Sequence, residues 1–134
     1  MEETKVCTSC NQELSISKFK FRHSEGRQKG QRQAMCNRCI YVKYTRPLVE
    51  LKTNEIHDYQ LEKGCVDCGY KGHPAALEFD HIPGTEKKFN IGEKIGTYSR
   101  EILWEEIDKC DVVCANCHAI RTANRRQRVE IEVM

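Results

Sequence analysis

The spacing of its cysteines constrains this chain more than any other feature. Eight of the nine cysteines form four Cys-x2-Cys pairs. The pairs are Cys7 with Cys10, Cys36 with Cys39, Cys65 with Cys68, and Cys114 with Cys117. Two intervening residues let one tight turn present both sulfurs to a tetrahedral ion, and two such turns complete a structural zinc site. A redox role is the alternative for any single pair, but four pairs favour metal binding. We therefore expect two structural Zn²⁺ ions.

Chain order assigns the ligands to the two ions, because crossed pairings would thread long segments between modules. The first zinc is assigned to Cys7, Cys10, Cys36 and Cys39, and the second to Cys65, Cys68, Cys114 and Cys117. Cys110 is left over and is expected to be a buried strand residue.

Composition agrees with a fold that depends on metal. The 39% of apolar residues in this chain of 134 residues includes all nine cysteines, so a conventional core would be small. Zinc binding would then contribute much of the folding free energy. No segment approaches the ~20 apolar residues that a membrane span requires, and the first residues lack the pattern of a secretory signal. We expect a soluble, cytoplasmic protein.

Basic residues are concentrated in two segments. Residues 15–46 hold nine Lys or Arg against one acid, and residues 118–128 hold four Arg and no acid. Such patches are typical of proteins that contact phosphates. The residues expected to contact nucleic acid are Lys18, Lys20, Arg22, Arg121, Arg125 and Arg128. The aromatic residues within the first patch, of which Phe19 is one, fit either nucleic-acid contact or a small core.

Three segments follow along the chain. We expect residues 1–46 to form a zinc-ribbon-like module that contacts nucleic acid, residues 47–63 a linking helix, and residues 64–134 a second zinc module. Pro47 suits the first turn of the helix and Gly64 its end. The helix can also extend backward through residues 40–44, with a kink or break at Pro47.

The second module reads as strand, helix-bearing loop, strand and helix. Residues 77–81 alternate like a short strand and lead to a turn at Pro83-Gly84. Ser99 suits the N-cap of a helix over 100–109, and residues 110–113 read as a second strand before a basic helix.

Within this module, Cys-x2-Cys, then Leu-x-Phe-Asp80-His81, then Val-Val-Cys-x2-Cys-His118 resembles the HNH nucleases, whose ββα-metal motif is braced by a four-cysteine zinc site. The resemblance covers residues 64–127. The N-terminal double knuckle also resembles zinc modules that precede HNH domains in some phage and mobile-element proteins. The fold implied is a small zinc-stabilised α+β protein, with a ββα-metal catalytic module joined by a helix to the zinc-ribbon-like module.

The resemblance also implies roles for particular residues. His81 would be the general base, while Asp80 and His118 would hold one catalytic divalent ion, Mg²⁺ or Mn²⁺. Lys109 stands where the family has the Asn that orients the base, and Asn90 could substitute for it. Thr122 stands where some members have a second helical ligand, so a two-ligand ion site is implied.

The expected function is therefore metal-dependent endonucleolytic cleavage of DNA in a bacterial or phage-infected cell. DNA is the expected partner, no membrane contact is expected, and a homodimer is left open. The first alternative is a non-catalytic zinc-finger nucleic-acid-binding protein. The second is a protein-interaction module that uses Trp104 and the acidic helix around it.

Overall fold

The computed structural model describes residues 2–22, 26 and 30–133. The chain is a small α+β protein that divides into two compact units, Met1–Leu48 and Val49–Met134. No helix in the described part of the chain is long and apolar enough to cross a membrane.

The first unit is a small hairpin with a short helix. Strands β1 (Thr4–Val6) and β2 (Glu13–Ser15) pair antiparallel, and a 3₁₀ turn and helix α1 (Asn37–Ile40) follow. Its buried core consists of Cys7, Phe19 and Cys36. Phe19 is therefore a core residue, whereas the neighbouring Phe21 is exposed. Because two of the three fully buried core residues are cysteines, little apolar surface stabilises this unit without metal.

Helix α2 (Arg46–Lys63) confirms the helix expected over 47–63. The helical path also extends backward, through a π-helical turn at Tyr41–Thr45. Pro47 explains this turn, because its missing N–H and its ring do not fit a regular α-helical interior, and a wider turn relieves the clash. Gly64 ends the helix with φ of +65°, the left-handed conformation that glycine adopts most easily.

The second unit contains the predicted strand pair. Strand β3 (Leu77–His81) pairs antiparallel with β4 (Cys110–Cys114), and Asp80 lies opposite Asp111. Helices α3 (Ile91–Lys94) and α4 (Arg100–Ile107) connect the strands, and α5 (Ala115–Val133) follows β4 directly. Ser99 caps α4 as expected, because its hydroxyl accepts a hydrogen bond from the Ile102 N–H.

Two core clusters hold the second unit together. One surrounds β3 and β4 and includes Cys65 and Cys114, so expected zinc ligands are core residues here as well. The other joins Ile56 of α2, Ile91 of α3 and Ile107 of α4. Trp104 packs edge-on against Tyr59, with ring centroids 5.1 Å apart. Its ring is thus partly buried in this core, which weakens the case for Trp104 as a contact for another protein.

Candidate metal centres and active-site cleft

Among the described residues, two groups of four cysteines could each hold a metal ion. In each group the four sulfurs lie within 4.8 Å of one another, and the groups contain the cysteines that chain order assigns to each zinc. The sulfurs of Cys68 and Cys114 are 3.7 Å apart. A tetrahedral ion with Zn–S bonds of about 2.3 Å requires sulfurs about 3.8 Å apart. Both clusters therefore fit zinc.

The two clusters share one local construction. In each, the first Cys-x2-Cys pair lies in a turn closed by a hydrogen bond, from the Asn11 N–H to the Cys7 carbonyl and from the Gly69 N–H to the Cys65 carbonyl. Asn11 and Gly69 both have positive φ, which glycine and asparagine tolerate best. The second pair of each cluster lies where a helix begins, at α1 or at α5.

Charge in the first cluster is consistent with a bound cation. Backbone N–H groups of Cys10 and Cys36 lower the pKa of Cys7 to about 6. A hydrogen bond to the Cys36 sulfur raises the pKa of Cys39 to about 12. Sulfurs this close cannot all ionise unless a positive ion neutralises them. Full ionisation of the four cysteines would therefore require a bound cation.

A second kind of site lies where β3 meets α5. Asp80 is only 3% exposed, and its Oδ1 lies 3.5 Å from Nε2 of His118, in the first turn of α5. Nδ1 of His118 is 2.6 Å from Oε2 of Glu78. A carboxylate accepts this hydrogen bond, so Nδ1 carries the proton and Nε2 is the nitrogen that faces Asp80. An oxygen and a nitrogen donor thus converge on one position.

Arginines of α5 neutralise this carboxylate. Arg125 donates hydrogen bonds from both terminal nitrogens to the two oxygens of Asp80, and each bond is 2.8 Å long. Arg121 also reaches Asp80, at 2.9 Å, and bonds in addition to Asp67 and Asp111. Burial alone would raise the pKa of Asp80, but the two arginines outweigh it and hold that pKa below its usual value. A cation entering the site would have to displace Arg125.

These contacts change how the arginines of α5 are interpreted. The sequence predicts that Arg121, Arg125 and Arg128 contact nucleic acid together, but Arg121 and Arg125 serve as counter-ions of acidic residues. Arg128 is exposed and has no ion-pair partner within the described residues. In the first unit, Lys18, Lys20 and Arg22 are also exposed.

His81 lines the same cleft as Asp80 and His118, a depression of about 650 Å³ that Lys87 and Arg125 also border. The imidazole is 15% exposed, and its Nε2 lies 2.8 Å from Oε1 of the buried Glu106. The structure therefore brings all three residues that the resemblance singles out to one cleft.

The positions that depart from the HNH pattern have other partners. Lys109 donates from Nζ to Oε2 of Glu106 and to the Glu86 carbonyl. Asn90 borders the cleft and donates to Glu93 at the start of α3. Thr122 donates to the His118 carbonyl within α5. The partner of His81 is therefore Glu106, and not Lys109 or Asn90.

Sequence reasoning missed two carboxylates, Glu78 and Glu106. Glu106 shares the buried side of α4 with Leu103 and Ile107, at helical spacing, and an acid on such an apolar stripe is the signal that could have found it. Glu78 lies two positions before Asp80, so both side chains leave the same face of β3. Glu78 and Asp80 both contact His118.

No family model, curated protein or solved structure matches this chain. The resemblance to HNH nucleases therefore depends on the motif residues and on their geometry. The α+β fold and the two zinc-compatible cysteine clusters are independent of that resemblance.

Proposed function

We propose that this chain is a metal-dependent endonuclease of the HNH type, which hydrolyses phosphodiester bonds in DNA. The observation that carries the proposal is the convergence of Asp80 Oδ1 and His118 Nε2, 3.5 Å apart, in a cleft that His81 also lines. One carboxylate and one imidazole leave most of a metal ion's shell to water and phosphate oxygens, which suits Mg²⁺ or Mn²⁺.

The order of elements supports this proposal. Asp80 and His81 end the first strand of an antiparallel pair, and His118 lies on the helix that follows the second strand. This is the strand-strand-helix order that the resemblance implies. The corresponding position after the last cysteine of the first unit is Ile40, which cannot bind a metal. The second cysteine cluster, by contrast, is followed directly by His118, which lies beside Asp80.

Each residue of the cleft would have a separate role in the reaction. A divalent ion held by Asp80 and His118 would offset the charge that develops on the phosphate and on the leaving oxygen. His81 would accept the proton of the attacking water. Lys87 borders the cleft and would attract the phosphate, as would Arg125 once the ion has displaced it from Asp80.

Nicking of supercoiled plasmid tests the proposal. Zinc-loaded protein should cut when Mg²⁺ or Mn²⁺ is added and should stop when that ion is omitted; EDTA is avoided because it would also remove zinc. His118→Ala should raise the Mg²⁺ concentration for half-maximal cutting by more than about 10-fold, because loss of a ligand should exceed loss of a partner outside the ligand shell. His118 is a sharper probe than Asp80, whose removal would also take away the counter-ion of Arg125.

Gln127→Ala, at an exposed position of the same helix, is the matched control and should leave the Mg²⁺ dependence unchanged. If His118→Ala and the control respond alike to Mg²⁺, His118 is not a ligand and the proposed ion site is wrong.

The second candidate function is a non-catalytic zinc-finger nucleic-acid-binding protein. The observation that favours it is the pairing of Asp80, both of whose oxygens accept hydrogen bonds from Arg121 or Arg125. Asp80 would then have a structural role only. A protein that binds DNA but cuts none in Mg²⁺, Mn²⁺ or Ni²⁺ would support this function.

Both functions predict salt-sensitive binding to DNA. Replacing Lys18, Lys20 and Arg22 together by Ala should reduce the slope of log affinity against log salt by up to about 2.7, because each phosphate contact contributes about 0.9. Arg128→Ala should reduce it by about 0.9. Arg121→Ala should change the slope less, because three carboxylates already engage the Arg121 guanidinium. A slope that the triple replacement leaves unchanged would show that the first patch does not contact DNA.

A further inference from the structure

Glu106 is a buried carboxylate beside the proposed general base. The residue is 1% exposed, yet three donors surround it. Oε1 accepts a hydrogen bond from the backbone N–H of Lys88 at 2.9 Å and lies 2.8 Å from Nε2 of His81. Oε2 accepts a hydrogen bond from Nζ of Lys109 at 2.7 Å. A carboxylate held at both oxygens has one orientation, and so does the imidazole bonded to it.

The charge of Glu106 determines which nitrogen of His81 carries a proton. Burial would raise the pKa of Glu106, but Lys109, the Lys88 N–H and His81 outweigh it and lower that pKa to about 2. Glu106 is therefore ionised at neutral pH and has no proton to donate. The hydrogen bond must come from Nε2–H of His81, which leaves Nδ1 as the unprotonated nitrogen of the neutral ring.

We propose that Glu106 is the positioning residue of this site: it orients the His81 imidazole through Nε2 and keeps Nδ1 free to accept a proton. This inference rests on the proposed nuclease function. Lys109 stands where the HNH pattern has its Asn, and here it acts one step further away, by holding Glu106.

In this arrangement His81 takes a proton from the attacking water, and each bond that forms is matched by one that breaks. An O–H bond of the attacking water breaks, its proton forms an Nδ1–H bond, and the ring becomes an imidazolium. The hydroxide oxygen bonds to phosphorus while the P–O3′ bond breaks, and the 3′ oxygen takes a proton from solvent. The ionised Glu106 faces the positive charge on the ring and stabilises it.

Glu106→Gln tests the role, and Glu105→Gln is its matched control, because Glu105 is the exposed neighbour on the same helix. In zinc-loaded protein, Glu106→Gln should lower the maximal nicking rate about 10- to 100-fold, the scale at which partners of functional residues act. The Mg²⁺ concentration for half-maximal cutting should stay unchanged, because Glu106 does not contact Asp80 or His118. Glu105→Gln should behave like the wild type.

A second measurement does not depend on any variant. A long-range ¹H–¹⁵N spectrum of the wild-type protein should show His81 with its proton on Nε2, and Glu106→Gln should give a mixture of tautomers. A role of Glu106 that is structural only would not predict the slower maximal rate with unchanged Mg²⁺ dependence.

The outcomes separate this inference from the proposed function. If the wild type cuts DNA but Glu106→Gln cuts as fast as Glu105→Gln, or His81 carries its proton on Nδ1, Glu106 is not the positioning residue and the nuclease remains. If the wild type cuts no DNA, the nuclease proposal fails and the role of Glu106 fails with it.

Discussion

Removal of zinc is expected to unfold both units of this chain. Cys7 and Cys36 are core residues of the first unit, and Cys65 and Cys114 are core residues of the second. Zinc binding to small modules contributes roughly 10–16 kcal/mol, while a whole domain is stable by only about 5–15 kcal/mol. A strong chelator should therefore abolish the cooperative thermal transition in circular dichroism. Elemental analysis of the untreated protein should return about two zinc ions per chain.

Single cysteine replacements sharpen this test. Cys10→Ser and Cys68→Ser should each remove about one zinc ion, because they affect different clusters. Cys110→Ser is the control, since Cys110 belongs to neither cluster, and it should retain both ions. A folded protein that contains no zinc would contradict the metal-dependent architecture.

Loss of the His81 imidazole is expected to stop cleavage while the protein stays folded. His81→Ala should lower the nicking rate at least ~100-fold, because positioned acid–base groups contribute on that scale. Zinc content and DNA affinity should survive, since the cysteine clusters do not include His81. Nicking rate, zinc analysis and a DNA-binding assay of the same preparation measure the three properties.

His81→Gln is the matched variant for this experiment. A glutamine amide can still donate a hydrogen bond to Glu106, but it cannot act as a base at neutral pH. The environment of Glu106 is thus kept while the proton acceptor is removed. If either variant nicks plasmid as fast as the wild type, His81 is not the general base and the assigned HNH roles are wrong.

Local signals in the sequence predicted the elements of the fold well. Residues 77–81 form the expected strand, Ser99 caps the expected helix, and Gly64 ends α2. Each of these depends on contacts between residues a few positions apart, such as a capping hydroxyl or a left-handed glycine. Each Cys-x2-Cys pair also followed from spacing, because such a turn is a local structure, and chain order then grouped the pairs into two clusters.

Contacts between distant segments could not be predicted in the same way. The sequence of α2 predicts one apolar side with Leu48, Leu51, Ile56 and Tyr59. Ile56 is buried as expected, but Leu48 and Leu51 are exposed, and the other buried residue of the helix is Gln60. Gln60 is buried because its amide donates to the Leu77 carbonyl, a contact that only the folded chain defines.

The charged residues of the site show the same limit. Arg121 and Arg125 look like a free basic face in the sequence, but acids from β3, β4 and the first knuckle of the second unit neutralise them. The partner of His81 lies 25 positions away on α4. The sequence pattern therefore predicts which residues line the cleft better than it predicts their ion-pair and hydrogen-bond partners.

The direct junction of β4 with α5 has a consequence for how this cleft could be controlled. Cys117 belongs to the second cysteine cluster and His118 faces Asp80, so one peptide bond separates a candidate zinc ligand from a residue of the proposed active site. Oxidation of Cys117 would release the start of α5, and His118 would move with it. The proposed cleavage would then be lost together with the metal of the second cluster.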